Sequence, residues 1–383
     1  MKAYGIIGAN FGDCAKGLTT AFLASQFSNS LTVRAAGGAQ TSHTVEYNNV
    51  RHAFRHVSSG TWFGSDTYLS EYFIANPLVF CKENNKILRK TKLFIHPKAR
   101  LTLPFDMMVN QELEFKRGNS RHGSCGMGIN ETVIRCETDF KTTVSNISST
   151  GFYEKVKWIR DNYHAKRFEE LGLEIPSHFY DDGIIHTFTN ECFQLIQSSS
   201  FQKNNILEKY DFVLFEGNQG LLLDENHHFF PHVTRSQTGS TNASKILKSI
   251  GVNEMEVFYC TRTYLTRHGA GPLPFETEGK IYEKIEDKTN IPNDFQGSLR
   301  FAPINIDLLK ESIENDMAKS EVKIIPSIAI SCVDQLDEKC QMVKNGELLV
   351  VSQAELLDEL SNFLKFNRTM IHSSPKVEDS YMF

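Results

Sequence analysis

The stretch MKAYGIIGANFGDCAKGLTTAFLASQF (1–27) carries the pattern that decides the fold. Its apolar run AYGIIGA (3–9) predicts a buried strand, and LTTAFLASQF (18–27) has the spacing of a helix with one apolar face. A loop with glycines at positions 8, 12 and 17 joins the two. Strand, glycine-rich loop and helix in this order begin an α/β domain, and such a loop is suited to bind phosphate at the helix N-terminus.

The same pattern of an apolar strand that runs into a polar loop recurs along the chain. It is present in LTVRAAGGAQ (31–40), DFVLFEGNQG (211–220), MEVFYCTRTYLTRHGAG (255–271) and VKIIPSIAISCVDQLD (322–337). In open α/β sheets the ligand lies at the carboxyl ends of such strands. We therefore predict an α/β fold with a central, mostly parallel sheet and flanking helices, in one domain (1–383) with a helical insertion around 151–209.

Composition narrows the class of protein. The chain has 383 residues, 40% of them hydrophobic, which is enough for a large core, and its net charge of −5 predicts neither a nucleic-acid partner nor a membrane partner. Its eight cysteines include no CxxC pair, which is typical of reduced thiols. Residues 1–17 have no basic start followed by a long apolar stretch, so we expect no signal peptide, and no run reaches about 18 apolar residues; we therefore predict a cytoplasmic protein.

The first loop carries residues that can handle phosphate. Lys16 offers a positive charge, whereas Asp13 would repel a phosphate unless it holds a metal ion or takes a proton. The loop is not a Walker A motif, because Gly17 follows the lysine where Ser or Thr would bind Mg²⁺. His43, after the Gly37-Gly38 turn, has a side chain that can donate a proton to a phosphoryl oxygen.

Three later segments suggest ligand contacts. RHGSCGMGIN (121–130) predicts an anion-binding loop in which Ser124 adds a hydroxyl. In EGNQG (216–220), the Gln219 amide can bind the edge of a purine, and in QGSLR (296–300), Arg300 can bind a carboxylate through two hydrogen bonds. Each segment alone is also compatible with an ordinary turn.

Taken in order, these segments resemble the adenylosuccinate synthetase family. The family's Q-W-G-D-E-G-K-G is here NFGDCAKG (10–17), its G-G-x-N-A-G-H-T is GGAQTSHT (37–44), and its E-G-A-Q-G-x-x-L-D is EGNQGLLLD (216–224). Its T-T-R-V-G-A-G-P-F-P corresponds to LTRHGAGPLP (265–274), and its T-K-L-D to SCVD (331–334). The resemblance spans essentially the whole chain.

The resemblance implies a P-loop-related fold and a Mg²⁺-dependent ligase that joins aspartate to the 6-position of a purine nucleotide. Asp13, His43 and Lys16 would be catalytic, and Asp13 with the Ser42 carbonyl would bind Mg²⁺. The nucleoside triphosphate (NTP) would contact Gly12, Asp13, Lys16, Gly17, His43, Thr44 and Asp334. The purine monophosphate would contact Ser124, Cys125, Arg135, Gln219, Thr234 and Arg267, with Arg135 reaching it across a homodimer interface. Ser298 and Arg300 would bind aspartate.

Departures from the family pattern leave the substrates open. Cys332 replaces a lysine that lies on guanine, so both GTP and ATP remain candidates. Met127 and Gln40 replace a family arginine and asparagine. These features are similar to phage 2-aminoadenylosuccinate synthetases, which act on (d)GMP, but the retained Asp13 favours IMP. A catalytically inactive nucleotide-binding relative and a generic P-loop ATPase are the alternatives from other classes.

Overall fold

The structure is a computed structural model that describes residues 1–87, 89–118, 123–287 and 298–383. Its main sheet has ten strands in the described ranges. Neighbouring strands in it are parallel, except for the antiparallel pair formed by the last two strands of the chain. With strands numbered in chain order, the sheet runs β18 (Ser380–Met382), β17 (Thr369–His372), β14 (Lys323–Ser331), β11 (Glu254–Arg262), β1 (Lys2–Gly8), β10 (Phe212–Glu216), β2 (Ser30–Arg34), β5 (Asp66–Leu69), β7 (Leu93–Ile95) and β9 (Ser200–Phe201).

Smaller sheets and ten α-helices of the described residues surround it. A four-stranded sheet contains β12 (Tyr264–Arg267), β13 (Arg300–Asn305), β15 (Lys339–Lys344) and β16 (Glu347–Ser352), and two strand pairs join β3 (His43–Tyr47) with β4 (Val50–Phe54) and β6 (Ile74–Ala75) with β8 (Arg100–Leu101). The helices are α1 (Lys16–Gln26), α2 (Pro77–Asn84), α3 (Pro104–Arg117), α4 (Ile129–Cys136), α5 (Phe152–Ile159), α6 (Ala165–Glu170), α7 (Asp182–Gln197), α8 (Thr241–Ser249), α9 (Ile306–Lys319) and α10 (Gln353–Asn362).

The predicted α/β class and parallel sheet are confirmed. The strands expected from the glycine-terminated apolar runs are β11, β1, β10 and β2, and they are consecutive neighbours in the sheet. Their side chains are almost entirely buried, as expected for parallel strands covered on both faces. Because parallel strands end at the same edge, the loops after them meet there.

One predicted strand divides into two. The run 255–271 forms β11 in the main sheet and β12 in the four-stranded sheet, and the chain changes sheets at Thr263. The Thr263 amide donates to the carbonyl of Ser331 (3.2 Å). Because β12 pairs antiparallel with β13, Arg267 lies opposite Arg300. This change of sheet places two predicted ligand-binding arginines side by side.

The region around 151–209 is mainly helical, and its apolar side chains share one core with residues between Val57 and Ile147. Within it, α5 and α7 pack on each other through residues such as Phe152, Val156 and Phe188. A separate cluster fills the space between the main sheet and the helices α8 and α9. Nowhere in the described ranges is a helix both long and apolar enough to cross a membrane.

Candidate functional site

The loop after β1 and the loop after β10 approach so closely that glycine is required at their contact. A Cβ atom on Gly8 would lie 2.4 Å from the Gln219 carbonyl oxygen. A Cβ atom on Gly17, at the start of α1, would lie 2.7 Å from the Cβ atom of His43. The glycines therefore allow three loops, those of Asp13, His43 and Gln219, to share one edge of the sheet.

Lys16 joins two of these loops directly. Its side chain is almost completely buried, and Nζ donates to the carbonyl of Gln219 and contacts Sγ of Cys14 at 3.6 Å. A buried ammonium group is costly unless its donors are satisfied. Lys16 therefore holds the loop after β10 against the loop after β1.

Asp13 is ionised and held from two sides. Its backbone has a left-handed φ of 49°, and its side chain keeps 36% of its surface exposed. Oδ2 lies 3.3 Å from Nε2 of His268, and Nε of Arg262 donates to the Asp13 carbonyl. Burial by neighbouring groups raises the pKa of Asp13, but His268, Arg262 and Lys16 outweigh it and hold that pKa at about 2.

His43 faces a buried carboxylate that we did not predict from the sequence. Nδ1 lies 2.9 Å from Oε1 of Glu216, the last residue of β10, and Glu216 also pairs with Arg34 at 3.3 Å and accepts from Ser59. Burial raises the pKa of Glu216, but His43 and Arg34 hold it at about 2. Burial lowers the pKa of His43, and the Glu216 charge opposes that shift.

Several buried polar atoms around His43 have no hydrogen-bond partner among the described residues. They include Nε2 of His43, both amide atoms of Gln40 and Oδ1 of Asn218. Unpaired polar atoms are costly in a protein interior and are rare away from functional sites. Such atoms also occur elsewhere in the fold, for example on Tyr163 and Glu191, but those near His43 fit a site that is completed by a polar ligand.

Gln219 and Thr234 lie together as the resemblance implies. The Gln219 amide donates to Oγ1 of Thr234 and accepts from Nδ2 of Asn218 at 3.2 Å. Gln219 has a left-handed φ of 51°, in the turn that meets Lys16. The amide is thus fixed beside the first loop.

Arg267 is a buried cation without an acidic partner in the described part of the chain. Its Nη atoms donate to the carbonyls of Pro272 and His232, each at 2.7 Å, and its guanidinium lies 4.6 Å from the ring centre of Phe11. Burial, with the charge of Arg300, lowers the pKa of Arg267 to about 10. A buried positive charge that contacts only neutral groups fits an anionic ligand.

Arg300 contacts the same loop. Nη1 donates to the carbonyls of Gly269 and Gly271, each at 2.9 Å, and the guanidinium pairs with Glu276 through two hydrogen bonds. The guanidinium of Arg300 thus binds a carboxylate of the protein through two hydrogen bonds, and its binding of aspartate stays a prediction. Ser298 begins the last described segment, and the residues before it in QGSLR lie outside the described ranges.

Asp334 lies on an exposed turn after β14, and partial burial raises its pKa. That turn begins at Cys332, whose carbonyl accepts from Oγ1 of Thr263 at 3.1 Å. Ser42 immediately precedes β3, and Thr44 follows His43 on that strand, both half-buried. Ser42 and Thr44 therefore lie next to the loop that carries Asp13, and Asp334 lies next to the end of β11.

Comparison with known proteins decides the family. Residues 5–296 match the family model for adenylosuccinate synthetase. The chain belongs to the adenylosuccinate synthetase family. It is 26% identical to the adenylosuccinate synthetase of Mycoplasma mycoides over 75% of this chain and 67% of that one, and 28% identical to that of Borrelia turicatae over 86% and 78%. It is accordingly a ligase of the nucleotide-binding, purine-biosynthetic kind.

Solved structures of two relatives share the fold. Adenylosuccinate synthetase from Plasmodium falciparum superimposes with a TM-score of 0.80 at 16% identity, over 99% of each chain. Succinoaminodeoxyadenylate synthetase of cyanophage S-2L, bound to dGMP and to dATP as an energy donor, gives a TM-score of 0.65 at 15% identity, over 99% of this chain and 95% of that one. At these identities the likeness concerns the fold.

In this member of the family, the loop predicted to bind the monophosphate holds a carboxylate of the protein. The amides of Gly123 and Ser124 donate to Oε2 of Glu114 (3.1 and 3.4 Å), and Oγ of Ser124 bonds to Asn110. Cys125, the next residue, is half-buried. The amides therefore bind an internal carboxylate, and the contact with a monophosphate stays a prediction. The first two residues of the motif lie outside the described ranges.

The prediction that Arg135 binds a monophosphate across a dimer interface is wrong for this structure. Its side chain is fully buried, and its guanidinium makes five hydrogen bonds, two of them to Asp106. Asp106 also contacts Nε2 of His164 at 2.8 Å. Since all five N–H groups of an arginine are used, none remains for a phosphate. Arg135 instead holds α4 against α3.

We expect Arg135→Met to lower the free energy of unfolding by about 3–5 kcal/mol, because Asp106 loses the main partner of a buried charge. The KM for the purine monophosphate should stay close to that of the wild type. Chemical denaturation and steady-state kinetics at low temperature measure the two effects, with Asp106→Asn as the matched variant. A large rise in KM without loss of stability would restore Arg135 to the binding site.

A second buried ion pair, between Arg34 and Glu216 beside His43, gives a similar test. Glu216→Gln should cost about 3–5 kcal/mol, since Arg34 would remain as a buried charge without a counter-ion. The double variant Arg34→Met/Glu216→Gln removes both charges and should recover most of that loss. Thermal or denaturant unfolding measures this coupling. Additive effects of the two substitutions would show that the pair is not coupled.

Proposed function

We propose that this ligase joins L-aspartate to the 6-position of IMP, with hydrolysis of an NTP through a 6-phosphoryl intermediate. The observation that carries the proposal is that His43, with an unpartnered Nε2, packs against Gly17 at the end of the loop that carries an ionised Asp13. A base and a phosphate-directed donor at a glycine-rich loop are the groups that such a transfer needs.

The two chemical steps follow from these groups. Asp13 accepts the proton from N1 of the oxopurine while O6 attacks the γ-phosphorus and the NDP leaves. His43 donates from Nε2 to the phosphoryl oxygens, and Lys16 adds positive charge at the loop. Phosphorylation turns O6 into a good leaving group, so the aspartate amine then attacks C6 and releases inorganic phosphate.

The residues present also fit a magnesium ion. Mg²⁺ prefers oxygen ligands and retains several waters, so one carboxylate and one carbonyl are enough protein ligands. Asp13 is ionised and partly exposed, and Ser42 directly precedes His43. We assign the Asp13 carboxylate and the Ser42 carbonyl to this ion, which would neutralise charge on the transferred phosphoryl group.

The purine monophosphate would lie between the Gln219 loop and Arg267 at the end of β12. Gln219 and Thr234 would contact the nucleotide, and the buried charge of Arg267 would face its ribose or phosphate. Ser124 and Cys125 border this region because a Cβ atom on Gly123 would lie 2.6 Å from Gly269. A phosphate on that loop would have to take the amides that now bind Glu114.

A second reaction, on (d)GMP with ATP, has its own support. The structurally similar cyanophage enzyme is bound to dGMP and dATP, and the base turn here has Cys332 in place of a lysine. Asp13, retained at the first loop, favours IMP. The homodimer and the cytoplasmic location remain predictions from sequence.

A matrix of IMP and dGMP against GTP and ATP, with aspartate and Mg²⁺, tests the proposal. We expect phosphate release and a new absorbance band with IMP, and a loss of about 10²–10⁴-fold in turnover for Asp13→Ala and for His43→Asn. No turnover with any pair would favour a nucleotide-binding protein without activity. NTP hydrolysis that needs neither monophosphate nor aspartate, and survives Asp13→Ala, would favour a generic ATPase.

Arg300→Leu tests the aspartate site. The substitution removes the guanidinium that binds carboxylates, so the KM for aspartate should rise by about 10-fold or more, while the KM values for both nucleotides change little. Glu276→Gln is the matched variant, because it frees Arg300 from its internal partner without removing the cation. A selective rise in a nucleotide KM for Arg300→Leu would mean that this loop has another role.

A further inference from the structure

Arg262 occupies the space between the two ends of the proposed NTP site. It is the last residue of β11, which lies between β1 and β14 in the main sheet, and it pairs in register with Ser331. The loop after β1 carries Asp13, and the turn after β14 carries Asp334. An arginine at the end of the middle strand therefore lies between the residues assigned to the reacting phosphate and to the base.

The guanidinium of Arg262 is fixed in that position by contacts on both sides. Nε donates to the Asp13 carbonyl, Nη1 donates to the Tyr264 hydroxyl at 3.1 Å, and the group lies 5.6 Å from the centre of the Tyr264 ring. Tyr264 in turn donates to Oε1 of Gln335, in the base turn. Arg262 is thus part of a hydrogen-bonded connection from the first loop to the base turn.

Three carboxylates lie along this part of the proposed NTP site, so a positive charge is needed between them. Asp13 and Asp334 mark the ends of the site, and Asp287 lies 3.4 Å from Nη2 of Arg262. The base turn, SCVDQ (331–335), contains no positive residue, and Nζ of Lys16 is buried against the Gln219 carbonyl. Lys16 and the Mg²⁺ assigned above lie at the Asp13 end, so a triphosphate that spans these carboxylates needs a further positive charge towards the base turn.

We propose that Arg262 binds the triphosphate chain of the NTP co-substrate and supplies the positive charge that the base turn lacks. The planar guanidinium suits phosphate oxygens, which it binds through paired N–H groups. Its contact with the Asp13 carbonyl places the bound triphosphate next to the reacting loop. The inference rests on the proposed function, since that function defines Asp13 and Asp334 as the ends of the NTP site.

Equilibrium binding of β,γ-imido ATP and β,γ-imido GTP, measured by calorimetry with Mg²⁺, tests this role without turnover. Arg262→Met should weaken binding of the preferred analogue about 10- to 100-fold, because a charge-assisted contact is lost. Arg262→Lys keeps the charge but loses the paired N–H groups, so its affinity should be intermediate. Binding of IMP, measured in the same way, should change little in either variant.

Lys323→Met is the matched control, since it removes an exposed positive charge at the opposite end of β14 and should leave triphosphate affinity unchanged. Thermal melting establishes that each variant folds, and Arg262→Lys carries the test if Arg262→Met does not fold. Wild-type affinity for the analogues in the Arg262 variants, or an equal loss of IMP binding, would overturn the inference alone. A wild-type protein that binds neither analogue would overturn the proposed function with it.

Discussion

The buried ammonium group of Lys16 is the contact on which the rest of the site depends. It donates across the edge of the sheet to the Gln219 carbonyl, so the loops after β1 and β10 keep one fixed spacing. That spacing is possible because Gly8 lacks a side chain where one would collide with the same carbonyl. With the two loops joined, Asp13, His43 and Gln219 all lie at the carboxyl edge of four consecutive parallel strands. A family of nucleotide ligases would need such an edge to hold three substrates at once.

The charged side chains at this edge of the sheet fall into three arrangements. Asp13 is an exposed carboxylate surrounded by His268, Arg262 and Lys16, whereas Glu216 is a buried carboxylate neutralised by Arg34 and His43. The first arrangement leaves an ionised group available to a proton or a metal ion, and the second fixes an imidazole. Arg267 differs from both, because its buried charge contacts only carbonyls and aromatic rings within the described residues. An anionic ligand would complete that part of the site.

The sequence allowed the sheet and most of the loops to be predicted, because buried parallel strands appear as apolar runs that end in glycine. The four strands predicted from the apolar runs at 3–9, 31–40, 211–220 and 255–271 are neighbours in the sheet. Gln219 and Thr234, which the family motifs both assign to the purine monophosphate, are hydrogen-bonded to each other. Glu216 and Arg262 were missed, since their partners Arg34 and Asp13 lie 182 and 249 residues away and leave no local pattern. Arg135 was misassigned because an arginine in a buried ion pair and one that binds phosphate look alike in a motif. At Thr263 one apolar run passes from the main sheet into the four-stranded sheet, because β11 pairs with β14 and β12 pairs with β13. Hydrophobic periodicity along the chain does not reveal such pairing.

If the three loops bring an NTP to the oxygen of an oxopurine, this oxygen leaves the purine as part of the phosphate. Isotope transfer tests it most directly. With IMP labelled with ¹⁸O at the 6-position, aspartate, Mg²⁺ and unlabelled NTP, we expect mass spectrometry to find one ¹⁸O atom in each inorganic phosphate released. Phosphate that carries no label, with the label retained in the nucleotide, would contradict it.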